Sequence, residues 1–435
     1  MQEFHAGTSS PSAALTFPQG FLWGTATSAH QVEGGNTAND WWAWEQQPGR
    51  IARGDRSGQA CNWWRAAEAD FDRMAALHQN AHRLSIEWSR LEPHQGQWDD
   101  RALRRYGEML TGLRQRSITP MVTLHHFTFP LWVARRGGWL WPGLSAAFER
   151  FVHYAVGGLG DLTTLWCTFN EPVAAIINGY ITGRFPPGAG GLQPARAAIV
   201  NSIRAHAAAY HAIHAVQKDA QVGIAAYLRV FDPARPASLL DRLVTGAQDR
   251  LINWAYLDAL RDGGFRSPFR LTPLPEAANT MDFLGVNYYT RDLVRFDLRH
   301  AHALFGRNFH APGAVLSDGA YSEVYPAGLY RMLMRAQAYG RPIYVTENGL
   351  PDEDDDLRPG FVVSHLREVG RALQAGCDVR GYLHWSLLDN FEWAEGWTLR
   401  FGLIALDPLT QARTPRPSAA LYSEICRTGR VPSLR

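Results

Sequence analysis

Cysteine is scarce in this chain. Cys61, Cys167, Cys377 and Cys426 are the four in 435 residues, scattered, with no CxxC pair and no metal-ligand spacing. That argues against a disulfide-stapled fold and a cysteine-built metal centre, and a reducing, cytoplasmic setting is expected. Cys167 falls inside an apolar run, where a thiol serves as a small apolar residue. No stretch approaches the roughly 20 apolar residues that a membrane-spanning helix needs. The opening "MQEFHAGTSSPSAALTF" has neither the basic start nor the apolar run of a signal peptide. Charge of one sign is missing too: a net +2 gives no general pull toward nucleic acid or an anionic membrane, so neither is an expected partner.

What the chain does have is core-forming residues. At 46% hydrophobic it can bury a large core. Its 16 Trp and 15 Tyr mostly serve packing, but they also suit flat surfaces that stack on sugar rings. Short runs rich in Val, Ile, Leu, Phe and Thr recur along it, each followed by a helix-like stretch. They are "FLWGTATS" from 21, "HRLSIEW" from 82, "PMVTLHH" from 120, "TTLWCTFN" from 163, "QVGIAAYL" from 221, "DFLGVNYY" from 282, "PIYVTEN" from 342 and "RGYLHWSL" from 380. Between them, Ile199, Ile203, Tyr210, Ile213 and Val216 recur at helical spacing within about Pro194 to Lys218. Strands alternating with helices imply a parallel sheet buried on both faces, and eight such units close most naturally as a (β/α)₈ barrel. The fold class expected is therefore α/β, a TIM barrel forming one domain over 1–435, with residues 1–15 as a flexible tail. Length beyond a typical barrel of about 250 residues would lie in βα loops, notably 31–58 and 290–325.

In such barrels, polar groups at the C-terminal strand ends face the active-site mouth. Glu171 ends the fourth run and Glu347 the seventh. Glu87 to Arg90, His125, His126, Asn287, Tyr289 and Trp385 stand at comparable positions on other runs. This rim has no Cys/His cluster or His-x-His pattern, and no Gly-rich phosphate loop with a Lys appears; no metal or other cofactor is expected. Two carboxylates among amides, histidines and tryptophans fit glycoside hydrolysis, where one carboxylic acid protonates the leaving oxygen and the other attacks the anomeric carbon or activates water.

From about Thr16 to Cys426 the chain resembles glycoside hydrolase family one, the β-glucosidase family. Seven segments carry the resemblance: "FPQGFLWGTATSAHQVEGG", "HRLSIEWSRLEP", "TLHHFTFPLW", "TFNEP", "VNYYT", "YVTENG" and "WSLLDNFEWAEGW". It implies a retaining β-glycosidase acting on a small β-glycoside or oligosaccharide. Glu171 resembles the acid/base and Glu347 the nucleophile, with Arg83 and Tyr289 supporting the latter. Gln31, His126, Asn170, Asn287, Glu392 and Trp393 resemble the sugar-binding set, and Trp385 its stacking floor. Glu392, taken as anionic, disfavours 6-phosphorylated sugars. Glu171 stands where the thioglucosidases of the family carry Gln.

The chain departs from the family in having Phe127 where Trp is usual. The acidic run Asp352 to Asp356 is read as a solvated loop. His206, His211 and His214 are read as partly buried helix residues, since their spacing is not a zinc pair. A transglycosidase with the same residues, or an inactive sugar-binding barrel, are the alternatives. The aglycone and the gluco, galacto or fuco preference stay open.

Overall fold

All eight apolar runs form strands, and hydrogen bonding closes them into one parallel barrel in the computed structural model, which describes residues 15–188, 190–267 and 270–433. The strands are β1 (Leu22–Ala26), β2 (Ala81–Ser85), β3 (Thr119–His125), β4 (Leu165–Asn170), β5 (Gln221–Tyr227), β6 (Phe283–Asn287), β7 (Ile343–Asn348) and β8 (Val379–Trp385). They neighbour one another in chain order, and β8 pairs with β1 to shut the ring. Their near-continuous burial follows from cover on both faces. Inside lie Ala26, Ala81, Met121, Leu165, Phe283 and Leu383. Outside, a larger layer that includes Trp63, Trp88, Phe148 and Trp166 packs strands against helices. Most tryptophans serve that layer, and Cys167 is buried within β4.

The predicted helix is Leu192–Val216, in place but started two residues earlier than its periodicity suggests. Of its histidines only His214 is partly buried. His206 is fully buried between Thr168 Oγ1 (2.6 Å) and the Thr280 carbonyl (2.7 Å), and His211 is exposed. The expected tail over 1–15 lies outside the described residues except for Leu15, which pairs with Val431. Among the described residues no helix is long and apolar enough to cross a membrane.

The loop expected over 290–325 carries structure of its own. Strands Arg291–Phe296 and Gly306–Phe309 join Val230–Pro233, from the loop after β5, in a small three-stranded sheet. The acidic run is also more than a solvated loop. Asp352 is buried and accepts from Leu357 N (3.1 Å) and Arg358 N (2.7 Å), which caps the helix Arg358–Gln374. Asp355 is buried against Arg358 and accepts from Ser418 N and Oγ, each at 2.7 Å.

Candidate active site

Three local irregularities of the barrel fall where the site residues sit, and a fourth lies at the start of β7, between Ile343 and Tyr344. The β4–β5 register shifts between Cys167 and Asn170, the β6–β7 register at Asn287, and the β7–β8 register between Val345 and Asn348. Such bulges re-aim side chains at a strand end. Pro172 follows β4 as the first residue of the helix Pro172–Tyr180, and a residue before proline is kept out of the right-handed helical region. Glu171 instead takes a left-handed turn, φ 43° and ψ 51°, with its N–H held by Ala225 O at 2.8 Å. A non-glycine residue in that region costs of order 1–3 kcal/mol, so surrounding structure must fix it. In "TENG" the glycine has a steric cause: a Cβ on Gly349 would lie 1.8 Å from the Trp385 carbonyl oxygen.

Arg83, fully buried on β2, organises the centre. It donates to Glu347 Oε1 at 2.6 Å, to Asn170 Oδ1 at 2.7 Å and to Thr123 Oγ1 at 2.8 Å. Tyr289 donates to Glu347 Oε2 at 2.7 Å, so both oxygens of that carboxylate are held. Glu171 receives one bond, from Asn287 Nδ2 at 2.8 Å. Asn287 is itself oriented by Thr346 Oγ1 at 2.7 Å and also donates to Asn170 Oδ1 at 3.0 Å. Because Asn170 accepts twice on Oδ1, its amide nitrogen donates to His126 Nε2 at 3.0 Å, which leaves the imidazole proton on Nδ1.

The surroundings of the two carboxyls set their protonation apart. Burial, and next the charge of Glu347, push Glu171 up to about 8, against the opposing hydrogen bond from Asn287 and the charge of Arg83. Burial also raises Glu347, but Arg83 and Tyr289 oppose it with charge and hydrogen bonds. These surroundings favour the proton on Glu171 and the negative charge on Glu347. Burial holds His126 neutral, with Arg83 adding to the effect.

Deeper in the cavity, Gln31 donates to Asn390 Oδ1 (2.8 Å), Phe391 O (2.9 Å) and Glu392 Oε2 (3.2 Å), and accepts from Ser28 Oγ at 2.6 Å. Burial and the charge of Glu347 push Glu392 up to about 8 as well. This corrects the expectation of an anionic Glu392: at neutral pH the group is largely protonated. Trp385, His126, Trp393 and His30 stack in a column, with centroids 5.9, 5.8 and 5.8 Å apart and planes within 24°, 15° and 14°. Phe127 packs beside this column and also lines the cavity, 4.9 Å from Trp393 and 5.6 Å from Phe185.

All eleven expected site residues meet here, lining a cavity of about 760 Å³ or bonded directly behind its lining. Other rim residues do not. His125 turns outward among Phe129, Trp139, Phe148 and Phe169, because adjacent strand residues point to opposite faces. Glu87 accepts from Ser89 and Thr128, and Arg90 pairs with Glu33 at 2.6 Å over the face of Trp64. Thr123, Thr346, Asn390 and Ser28 orient the site and were missed. Each lies within or beside a quoted segment and offers a short polar side chain in an apolar run, a signal that was available.

Fold and site together define a barrel glycosidase: two buried carboxyls in unlike settings at strand ends, with amides, an imidazole and indoles around them. Comparison with known proteins is specific. The model of glycosyl hydrolase family 1 matches residues 13–430. A beta-galactosidase of Sulfolobus acidocaldarius is 33% identical over 96% of each chain. Beta-glucosidase 47 of Arabidopsis thaliana is 34% identical over 97% of this chain and 86% of its own. Among solved structures, a beta-glycosidase from Pyrococcus horikoshii superposes with TM-score 0.91 at 40% identity over 96% of each chain. A beta-glucosidase from Thermotoga maritima in complex with glucoimidazole does so with TM-score 0.91 at 30% identity, over 95% of this chain and 99% of its own. The chain belongs to glycosyl hydrolase family 1.

Proposed function

We propose that the protein is a retaining β-glycosidase that removes terminal, non-reducing, unphosphorylated β-D-glycosyl groups, with glucosides as its main substrates. The observation that carries this reading is the unequal setting of Glu171 and Glu347. Glu347, ionised between Arg83 and Tyr289, attacks the anomeric carbon as the bond to the leaving oxygen breaks. Glu171 delivers its proton to that oxygen. A glycosyl ester on Glu347 results. Glu171, now ionised, takes a proton from water as the water oxygen attacks the same carbon and releases Glu347. Asn170 is held by Arg83 and Asn287 with its amide aimed by His126, which suits a hydrogen bond to the 2-hydroxyl that strengthens in the transition state. Gln31, Glu392 and Trp393 bind the remaining hydroxyls above the Trp385 floor.

The relatives include proteins named beta-galactosidase and beta-glucosidase, so the glycone is the finer question. A panel of aryl β-glycosides differing only in the glycone, with NMR detection of the first anomer released, tests both parts. β-Anomer release with the gluco substrate leading is expected. Initial α-anomer release would overturn the retaining mechanism, and a higher kcat/KM on the galacto substrate would overturn the glucoside assignment. Adding alcohols to the same assay separates hydrolysis from transfer.

A further inference from the structure

A second cleft, of about 510 Å³, lies behind the wall of the active-site cavity, and Phe127 and Phe185 line both spaces. The two chambers are thus separated by a pair of rings 5.6 Å apart. On the far side the lining is aromatic, with the indoles of Trp41, Trp44 and Trp139, and its volume falls within the range of small-molecule sites. Two features show that it is more than a gap in the packing. Trp44 Nε1 is buried and has no hydrogen-bond partner among the described residues, a state that costs free energy unless an acceptor is supplied. At the rim stand Arg50 and Arg135, neither with a carboxylate partner among the described residues; Arg50 lies 3.9 Å over the Trp44 ring and bonds only to the neutral Gln47. Among the described residues Asp40 is the one carboxylate of the lining, and it already accepts from Phe129 N at 2.9 Å.

Flat apolar walls, an unused N–H and two unpaired guanidinium groups specify a planar ring bearing an electron-rich oxygen. The geometry points to a binding site for phenols, the class of alcohol that an aryl β-glycoside releases. The ring lies between the indoles and its oxygen turns to Arg50 and Arg135. A Phe at position 127, where the family resemblance has Trp, puts the smaller of those two rings in the partition between the chambers. The link to aryl glycosides rests on the glycosidase reading above; the binding itself does not.

The test is titration of the full-length protein with para-nitrophenol by calorimetry, alone and with deoxynojirimycin present to fill the sugar pocket. One equivalent is expected to bind with Kd of about 0.1–1 mM, as suits a ligand of this size, and to remain bound with deoxynojirimycin present. Ala43→Trp and Ala134→Trp each fill the cleft from positions outside the active site. They are expected to weaken that binding at least tenfold while kcat/KM on an alkyl β-glucoside stays within twofold. Two variants are used so that a folding failure in one leaves the test standing. Complete displacement by deoxynojirimycin, undiminished binding in a folded variant, equal affinity for the non-planar cyclohexanol, or no binding at all would each overturn the proposal. Loss of hydrolysis by the wild type with phenol binding intact would instead count against the glycosidase reading alone.

Discussion

The inner and outer halves of one cavity are built by different rules. In the inner half, Arg83, Asn170, Asn287 and Glu347 are at most 3% exposed, and their side chains bond to one another across four strands. In the outer half, Arg53, Arg184, Asp318 and Glu353 stand exposed on loops, and an ion pair across the mouth, Arg184 with Glu395, joins the loops after β4 and β8. A buried network fixes one geometry, because each member left unpaired would carry a desolvation cost. Exposed loop charges fix little, because water competes for every contact. Reaction type should therefore reside in the inner half, and the choice of leaving group in the outer half.

The strongest way to break this comparison is to remove the nucleophile. Glu347→Gly is expected to lower kcat at least about 10⁴-fold, on the scale seen when a covalent nucleophile is removed, while the fold survives. Given an α-glycosyl fluoride, which mimics the intermediate, the variant should make β-glycosides. Product analysis by NMR checks this, and substantial hydrolysis remaining would move the nucleophile elsewhere.

The next effect is about 10²–10⁴-fold, the usual range for general acid catalysis. Glu171→Ala should lose that much on substrates with poor leaving groups and much less on activated ones, with azide restoring turnover of the latter as β-glycosyl azide. The pH profile follows from the same group. Glu171 is raised to about 8 by burial and by Glu347, so its acid form persists through neutral pH and is lost as pH rises through about 8. Activity should fall there, and in a Glu392→Gln background, which removes the other group raised to about 8, Glu171→Gln should lack that limb on an activated substrate. A loss independent of leaving group would refute the assignment.

How much of this was legible follows the same division. The eight strands announced themselves as apolar runs, and Glu171 and Glu347 as carboxylates at strand ends. Alternation alone separates His126 from His125, since neighbours on a strand face opposite ways. The protonation of Glu392 was not legible, because it depends on burial and on Glu347, 45 residues away in sequence and a neighbour only after folding. Nor was the small sheet beside the mouth. Its strands of 4–6 residues carry Arg, Asp and Asn among their apolar positions and read as loop.

Glu392 sharpens the boundary between the halves. Its carboxyl, raised to about 8, is largely neutral at pH 6 and largely ionised at pH 9. Discrimination against a 6-phosphorylated β-glucoside should therefore grow with pH, by about tenfold across that range, as a second charge appears against the phosphate. Glu392→Gln should flatten this trend, since a neutral amide keeps the size and loses the titration. The ratio of kcat/KM for plain and phosphorylated substrates, measured at both pH values, decides it. A ratio that stays constant in the wild type would place Glu392 away from the 6-position.

The smallest expected effect lies at the mouth. Arg184 is 55% exposed and Glu395 30%, so their ion pair is screened and is worth at most about 1 kcal/mol. Arg184→Ala should change KM for aryl β-glucosides by no more than about fivefold, because 1.4 kcal/mol corresponds to tenfold. Its kcat with an activated substrate and the limb near pH 8 should stay as in the wild type, since Glu171 owes its upward shift to burial and to Glu347, and Arg184 contributes to neither. Salt separates the electrostatic part: KM of the wild type should drift with ionic strength, and that of the variant should drift less. If Arg184→Ala instead cost a hundredfold in kcat, the loop charges would belong to the reacting geometry, and the contrast between the inner and outer halves would fail.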